Sequence, residues 1–203
     1  MQITFGNKIP ISRAQIYDKK AQDFKEATLY ELDGREYSDI DEIASDPGAW
    51  EYKFLMTADL AGKIRKLDSC RGEGVNLSDF QKHLLEKNKF YILKTEEDKL
   101  AAICETNGFM NTADVHFTES SKDYGLAGQT ILASIVKQML KTPEAALEVS
   151  DPVDDARKFY MTDCGFKEKE PGSHGLKMEE EDMERFVLKV EQNIQSPIKD
   201  IEE

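Results

Sequence analysis

The chain has 203 residues, of which 40 are acidic and 27 basic, giving a formal net charge of -13 at pH 7. Such a charge argues against nonspecific nucleic-acid binding, which needs Lys and Arg against phosphate, and it suits a small cationic partner better. No apolar run approaches the ~18 residues of a membrane span, and the start MQITFGNKIP lacks the pattern of a signal peptide. We therefore expect a soluble, cytoplasmic protein with neither nucleic-acid nor membrane partners.

The three cysteines, Cys70, Cys104 and Cys164, are odd in number and have no CxxC spacing. Neither a disulfide framework nor a zinc site is predicted, and reduced thiols are expected. The three histidines are scattered without metal-ligand spacing, so no metal is expected. Because no repeat or low-complexity linker divides the chain, residues 1–203 are predicted to form a single domain.

The predicted elements alternate between strands and helices. Residues 13–33 read as two strands around a polar turn, and residues 38–88 as three helices. Apolar or alternating runs at 89–95, 99–107 and 112–119 indicate an antiparallel meander. The remaining predictions are a helix that ends before Pro143, a strand at 145–150, a helix closed by Gly165, a hairpin of 166–170 with 175–179, and a terminal helix at 180–194. This order is that of an α/β (α+β) fold.

Two glycines, Gly125 and Gly128, stand directly before the apolar helix of the middle of the chain. The first N–H groups of a helix have no partner within it and lie at the positive end of its dipole, so a strand, a glycine turn and a helix can form an anion site. The familiar phosphate loops do not fit, because Gln129 stands where a P-loop needs Lys and Ala127 where the dinucleotide fingerprint needs glycine. A plain structural turn is the alternative.

A third pattern does fit. The stretch KDYGLA at residues 122–127 resembles the (Gln/Arg)-x-x-G-x-(G/A) loop of the GNAT N-acetyltransferase superfamily, with Lys122 in the first position. Phe117 falls where that family has an apolar residue ending its fourth strand. The segment ARKFYMTDCGF at 156–166 is similar to the family's A-x-x-x-Y-x-x-x-G-F helix, with one additional residue between Tyr160 and Gly165 and with Val153 where an asparagine is often found.

The resemblance implies a GNAT-like fold, a mixed and mostly antiparallel central sheet flanked by helices, with a C-terminal helix. It divides the domain into N-terminal strands and a helical acceptor-side region (1–89), a core that binds acetyl-CoA (90–178), and an acidic C-terminal helix and tail (179–203). It also implies that acetyl-CoA is the cosubstrate, with its pyrophosphate on backbone N–H groups. The cofactor-binding residues are then Phe117, Thr118, Lys122, Asp123, Tyr124, Gly125, Leu126, Ala127, Gly128 and Gln129.

In this family a neutral amine attacks the thioester carbonyl directly, a base or water relay removes its proton, and an acid protonates the leaving thiolate. By resemblance Tyr160 is the candidate acid, and a buried aromatic on a helix is the structural alternative. Glu105, on a predicted inner strand, is the candidate base. Glu119 is a weaker candidate because a carboxylate close to the loop would repel pyrophosphate. His116 is also considered, although strand alternation turns its ring away from the side of its two neighbours.

Cys164 is not expected to act as a nucleophile, because no histidine is near it in sequence and the family needs no covalent intermediate. The acceptor is predicted only as a primary amine, on a cationic small molecule or on a protein. One alternative is a GNAT-like coenzyme A-binding or protein-interaction module that has lost transfer; another is a partner-binding protein in which residues 125–128 are only a turn. The sequence leaves open whether the protein forms a homodimer.

Overall fold

The computed structural model describes residues 8–32, 88–109, 111–150 and 152–201. Ten strands in this part of the chain form one sheet. They are β1 (Lys8–Asp18), β2 (Asp23–Leu32), β3 (Asn88–Thr95), β4 (Leu100–Phe109), β5 (Thr112–Ser120), β6 (Tyr124–Gly125), β7 (Ala146–Val149), β8 (Lys167–Glu168), β9 (Leu176–Glu179) and β10 (Lys199–Asp200).

The helices of the described residues are α1 (Ala127–Met139), α2 (Asp154–Lys158), which continues as a π-helical segment (Phe159–Cys164), and α3 (Glu180–Asn193). The predicted meander, the three helices after residue 125 and the final hairpin are confirmed. The strand pair predicted at 13–33 is also confirmed, although β1 begins earlier, at Lys8. The three helices predicted at 38–88 lie outside the described residues, apart from the last position, Asn88, which begins β3.

The sheet runs in the order β10-β1-β2-β3-β4-β5-β7-β9-β8, and β6 pairs with β1 beside this path. The pair β5–β7 is parallel. All other pairs among the described strands are antiparallel. The expected mixed, mostly antiparallel sheet flanked by helices is therefore confirmed.

Helices α1 and α3 pack together and cover one face of the sheet. On α1 the buried apolar side chains recur every three to four residues, and α3 contributes a matching stripe, so each helix turns one face inward. Burial of one such Ile, Leu or Val stabilises the fold by about 1.5 to 3 kcal/mol. The buried residues of these two faces are Ile131, Leu132, Ile135, Val136, Met183, Phe186, Val187 and Val190.

The chain after α3 returns across α1 to the edge of β1. The Lys137 ammonium lies 2.9 Å from the Glu191 carboxylate and also donates to the Ile198 carbonyl. The N–H of Ile201 then donates to the Ile11 carbonyl at 3.0 Å, beyond the short pairing of β10 with β1. The C-terminal segment thus covers backbone groups that an edge strand would otherwise expose.

The additional residue between Tyr160 and Gly165 lies in the π-helical segment, whose turns contain more residues than those of an α-helix. The N–H of Gly165 donates to the Tyr160 carbonyl five residues earlier, which is the spacing of a π-turn. Gly165 itself has φ 88°, a left-handed conformation that glycine adopts without strain. The helix therefore ends at the predicted glycine although it contains one residue more than the family pattern.

In the described ranges, no helix has the combined length and apolar character needed to cross a membrane.

Candidate active site

A fork opens in the sheet between β5 and β7. Their parallel register runs from Thr112 opposite Ala146 to Asp114 opposite Glu148. From residue 115 to residue 120, β5 pairs within the described part of the chain only with β4 on its other side. Over residues 115–120, the edge of β5 that faces β7 therefore has no strand partner among the described residues.

Asp114 fixes the closed end of this fork. The backbone N–H of Ser150 donates to its Oδ1 at 3.1 Å, and the Ser150 hydroxyl donates to its Oδ2. Ser150 directly follows β7, so these bonds tie the two strands together at the position where their pairing ends. The fork consequently has a fixed closed end and an open end near Ser120.

Helix α1 begins at the open end of the fork. Leu126, its N-cap, has φ 66°. The helical hydrogen bonds begin with the N–H of Thr130, which donates to the Leu126 carbonyl at 2.8 Å. The N–H groups of Ala127, Gly128 and Gln129 consequently have no acceptor inside the helix and lie at the positive end of its dipole. The first turn of α1 contains no acidic residue that would oppose an anion there.

The β1–β2 hairpin holds the loop that precedes α1. The Lys19 N–H donates to the Asp123 carbonyl at 3.0 Å, and the Lys19 ammonium donates to the Lys122 carbonyl at 2.8 Å. Tyr124 and Gly125 also pair with the end of β1. Lys19 and Lys122 are both exposed, so two cationic side chains lie at the loop that precedes α1. Lys19 was missed by sequence reasoning, and its only signal is the Lys19-Lys20 pair in an acidic chain.

Neither glycine has a left-handed backbone conformation, because the left-handed φ of this turn belongs to Leu126. A Cβ built on Gly125 would lie 3.5 Å from the Tyr17 side chain. One built on Gly128 would lie 3.5 Å from the Phe159 ring and 3.5 Å from the Ser120 hydroxyl. Gly128 thus lies where α1, β5 and the helix after β7 meet at the open end of the fork, and a methyl group there would already be in van der Waals contact with both neighbours.

Tyr160, the predicted acid, is 3% exposed and lies in an aromatic cluster. Its ring centroid is 5.3 Å from that of Phe159 and 5.4 Å from that of Phe166, both edge-on. A Cβ built on Gly128 would lie 3.5 Å from the ring of Phe159, so this neighbour of Tyr160 is next to the start of α1. The predicted acid is therefore a buried residue beside a phenylalanine at the open end of the fork.

Glu105 and His116, two of the candidate bases, are in contact. His116 Nδ1 lies 3.5 Å from Glu105 Oε1, and the side chains are 39% and 7% exposed, respectively. Glu119, the third candidate, is buried and lies opposite Ile103 in the β4–β5 register. Asn111 donates from its side chain to the Pro143 carbonyl, at the far end of β5.

Thr118 was predicted to bind the cofactor, and its hydroxyl donates to Cys104 Sγ at 3.4 Å. Cys104 is fully buried, and this burial raises the pKa of its thiol to about 12. Burial also raises the pKa of the Cys164 thiol. A protonated, buried thiol is a poor nucleophile, which agrees with the expectation that Cys164 forms no covalent intermediate.

The predicted loop residues 122–129 are together at the open end of the fork. His116 on β5 and Glu105 on the neighbouring strand β4 lie closer to its closed end. Phe117 is opposite Glu105 in the strand register. Unpaired N–H groups, a helix dipole and two ammonium groups are the chemistry that binds phosphate. Among the described residues, no cluster of three or more His, Cys, Asp or Glu side chains is placed to hold a metal.

No protein-family model and no curated protein matches the sequence. The chain is similar to the structure of PaiA N-acetyltransferase from Thermoplasma acidophilum in complex with coenzyme A, with 17% identity, a TM-score of 0.47 and coverage of 75% of this chain and 97% of that one. It is also similar to the structure of a GNAT-family acetyltransferase from Staphylococcus aureus Mu50, with 11% identity, a TM-score of 0.46 and coverage of 76% of this chain and 99% of that one. The structure of the ribosomal-protein-S18-alanine N-acetyltransferase from Escherichia coli has 15% identity to the chain and a TM-score of 0.44, with coverage of 75% of this chain and 92% of that one.

The architecture expected from the two sequence motifs is present in the described sheet. The antiparallel strands β1 to β6 are followed by α1, by β7, which is parallel to β5, by a helix and by the antiparallel pair β8 and β9, with α3 after them. The KDYGLA loop leads into α1, and the ARKFYMTDCGF segment forms the helix after β7. The chain has a GNAT-like fold.

Proposed function

We propose that this protein transfers the acetyl group of acetyl-CoA to a primary amine. The observation that carries the proposal is the fork between β5 and β7, with the N-terminus of α1 at its open end. The pyrophosphate of acetyl-CoA would be held by the N–H groups of Ala127, Gly128 and Gln129, and by Lys122 and Lys19. The pantetheine arm would then extend along the unpaired edge of β5 towards Asp114.

In the proposed reaction the amine nitrogen attacks the thioester carbonyl, and the carbon–sulfur bond breaks. Glu105 supports removal of the amine proton, and Tyr160 gives a proton to the leaving thiolate. Both residues are buried, so water has little access to their side chains. No covalent enzyme intermediate is part of the proposal.

The acceptor is proposed to be a cationic amine, on a small molecule or on a protein. A protein with net charge -13 attracts cations and concentrates them near its surface. The proposal places the reaction in the cytoplasm and involves no nucleic acid, membrane or metal. The acceptor side of the site is proposed to consist of residues 38–88, of which the structure describes only Asn88, and of residues 167–180 around the β8–β9 hairpin.

A second function is supported by the position of Tyr160. Because its ring is 3% exposed and packed between two phenylalanines, it could be a core residue in a module that binds coenzyme A without transferring acetyl groups. The two functions differ in one product, free thiol. Both require binding of acetyl-CoA.

The test is calorimetric titration of the purified protein with acetyl-CoA, followed by measurement of thiol release with a polyamine, an aminoglycoside, lysine and a lysine-containing peptide. The expected result is saturable binding, and thiol release with one amine class above the rate without amine. Binding without release with any amine would favour the module. Absence of binding at millimolar acetyl-CoA would contradict both functions and leave residues 125–128 as a turn.

A further inference from the structure

We infer that Asp114 and Ser150 restrict the acyl group of the cosubstrate to a short chain such as acetyl. This inference rests on the proposed acetyl transfer and names the residues that set the acyl-chain length. Asp114 is the last residue of β5 that pairs with β7, and its carboxylate accepts from the backbone N–H and from the hydroxyl of Ser150. This pair of hydrogen bonds, the Asp114–Ser150 latch, lies at the closed end of the fork.

The latch takes the place of further strand pairing. Asp114 lies opposite Glu148, so a ladder continued in the same register would bring Ser150 opposite residue 116. The N–H of Ser150 instead donates to Asp114 Oδ1 at 3.1 Å. A carboxylate that binds a backbone N–H in this way competes with the hydrogen bonds of a sheet. The Asp114 side chain therefore joins the two strands and also acts as a spacer between their backbones.

Ser150 is also held from the side of the β8–β9 hairpin. A Cβ built on Gly175 would lie 3.4 Å from the Ser150 carbonyl oxygen and 3.1 Å from Cδ of Lys169. The Lys169 ammonium in turn lies 2.7 Å from the carboxylate of Glu148, two residues before Ser150. Contacts of its N–H, its hydroxyl and its carbonyl thus place Ser150, and the closed end of the fork has a defined position.

The latch lies at the depth where the acyl group is expected. Ser120, at the open end, is close to Gly128 of α1, and Asp114 is six residues before it on β5. Six residues of strand span about 20 Å. In the proposed complex the pantetheine arm runs along this edge, and the thioester lies at the end of the arm that is farther from the pyrophosphate. Each carbon added to the acyl chain would therefore extend it towards the latch.

A closed end at a fixed position selects acyl groups by size. One methylene group more or less in a fitted pocket changes the preference between substrates by about 10- to 200-fold. Removal of the Asp114 side chain takes away the spacer and the tether to Ser150, so additional carbons gain room. Acetyl, which ends before the latch, gains nothing from the removal. The ratio of affinities for short and long acyl groups is therefore the quantity that the latch controls.

The experiment measures, by calorimetry, the binding of acetyl-CoA, propionyl-CoA, butyryl-CoA and ADP, which carries a pyrophosphate but no pantetheine arm. Wild type is expected to bind butyryl-CoA at least about tenfold more weakly than acetyl-CoA. Asp114→Ala should remove most of this preference, and Ser150→Ala, which loses one of the two bonds, should remove part of it. Asp114→Asn keeps an acceptor for the Ser150 N–H and should keep most of the preference.

Asp200→Ala is the matched control. It removes a carboxylate that accepts from Gln138 and pairs with Lys141 at the β10 edge of the sheet, away from the fork, so it should keep the wild-type preference. Binding of ADP should be the same in all variants, because ADP does not reach the closed end. A loss of sheet stability alone would weaken binding of every acyl-CoA to the same extent and leave the ratio unchanged.

Two results would overturn the inference and leave acetyl transfer intact. One is wild-type protein that binds butyryl-CoA as tightly as acetyl-CoA, and the other is a folded Asp114→Ala variant with the wild-type ratio. Should Asp114→Ala fail to fold, an unchanged ratio in Ser150→Ala, at an exposed position, would overturn it equally. Wild-type protein that binds none of the acyl-CoAs would overturn the proposed function itself. The wild-type titrations therefore separate the two failures.

Discussion

The ammonium of Lys19 donates a hydrogen bond of 2.8 Å to the backbone carbonyl of Lys122, across a sequence separation of 103 residues. The same residue donates from its backbone to the Asp123 carbonyl at 3.0 Å. The β1–β2 hairpin is thereby tied to the loop before α1, and it brings a cation to that loop. In the proposed site, an anion would contact two separate parts of the chain.

The substitution Lys19→Gln is expected to weaken acetyl-CoA binding about fivefold to tenfold at low salt. The cause is loss of a positive charge beside the phosphates, and because Lys19 is exposed the effect should shrink at high salt. Calorimetric titration at two salt concentrations measures both quantities. Lys20→Gln is the matched control, since it removes the same charge one residue away, and equal effects of the two variants would contradict a specific role of Lys19.

Gly128→Val is expected to lower acetyl-CoA affinity by at least about tenfold. The valine methyls would enter the space between the Phe159 ring and the Ser120 hydroxyl, which already lie 3.5 Å from a Cβ built on Gly128. Overpacking of this kind also costs roughly 1 to 3 kcal/mol of stability. Calorimetry measures the affinity, and thermal unfolding checks that the variant is folded at the titration temperature.

Gly108→Val provides the control for Gly128→Val. Gly108 lies near the end of β4, and a Cβ built on it meets no atom within 4 Å. This variant should bind acetyl-CoA like wild type. Wild-type affinity in Gly128→Val would mean that the fork does not receive the ligand at its open end, which would remove the main support for the proposed site.

The longer elements of the fold could be predicted because their signals are local. The face of α1 repeats within the helix, and the meander of β3, β4 and β5 shows apolar runs separated by polar turns. Strands β6 and β10 have two residues each and exist because distant segments reach the edges of β1. Two residues carry no periodic pattern, so these strands could not be found in the sequence.

Of the candidate site, the position of the loop before α1 could be predicted from the sequence, whereas the contacts between residues distant in the chain could not. The loop at residues 122–129 could be placed before α1 because a glycine turn before an apolar helix is visible in the sequence. The contact of His116 with Glu105 depends on a bulge, and strand alternation without a bulge places the ring on the other face. Lys19 reaches the loop only through tertiary folding.

Asp18→Asn should lower the free energy of unfolding at neutral pH by about 1 kcal/mol. This is slightly less than a hydrogen bond to a charged group usually contributes to stability. The Asp18 carboxylate accepts from the backbone N–H groups of Ala21 and Lys20 and lies 3.0 Å from the Lys25 ammonium. These contacts, the bond from Ala21 first and Lys25 next, lower the pKa of Asp18 below its ordinary value of 3.8.

The sign of the pH dependence follows from that shift. A depressed pKa in the folded state means that Asp18 stabilises the protein above pH 3.8 and that this contribution disappears as the pH falls through the lower, folded-state pKa. The stability difference between wild type and Asp18→Asn should therefore narrow in acid. Denaturant unfolding over a pH series measures it, and a difference that grew in acid would contradict the assignment.

The two described cysteines should be unreactive in the folded protein. Burial raises the pKa of Cys104 to about 12 and also raises that of Cys164, so neither thiol ionises at mildly alkaline pH. In a Cys70→Ser variant, a chromogenic disulfide reagent should modify neither thiol before unfolding and both in denaturant. A thiol of the folded variant that reacted as fast as in denaturant would contradict this prediction and reopen a covalent mechanism.

Tyr160→Phe distinguishes a catalytic hydroxyl from a packed aromatic ring. The substitution keeps the ring contacts with Phe159 and Phe166 at 5.3 Å and 5.4 Å and removes only the oxygen. If Tyr160 protonates the leaving thiolate, kcat should fall about 10²-fold while acetyl-CoA affinity and thermal stability change little. Steady-state thiol release and calorimetry on the same preparation measure these quantities.

Tyr91→Phe is the matched control for Tyr160→Phe, because Tyr91 is a buried tyrosine of β3, 8% exposed, in the same apolar core. Removal of its hydroxyl should leave kcat near the wild-type value. Equal rates of the two variants would mean that Tyr160 contributes packing alone, and the leaving thiolate would then have to take its proton from another donor. A large loss in Tyr160→Phe alone would link the π-helical segment to the reaction, since that segment carries the tyrosine and absorbs the additional residue behind it.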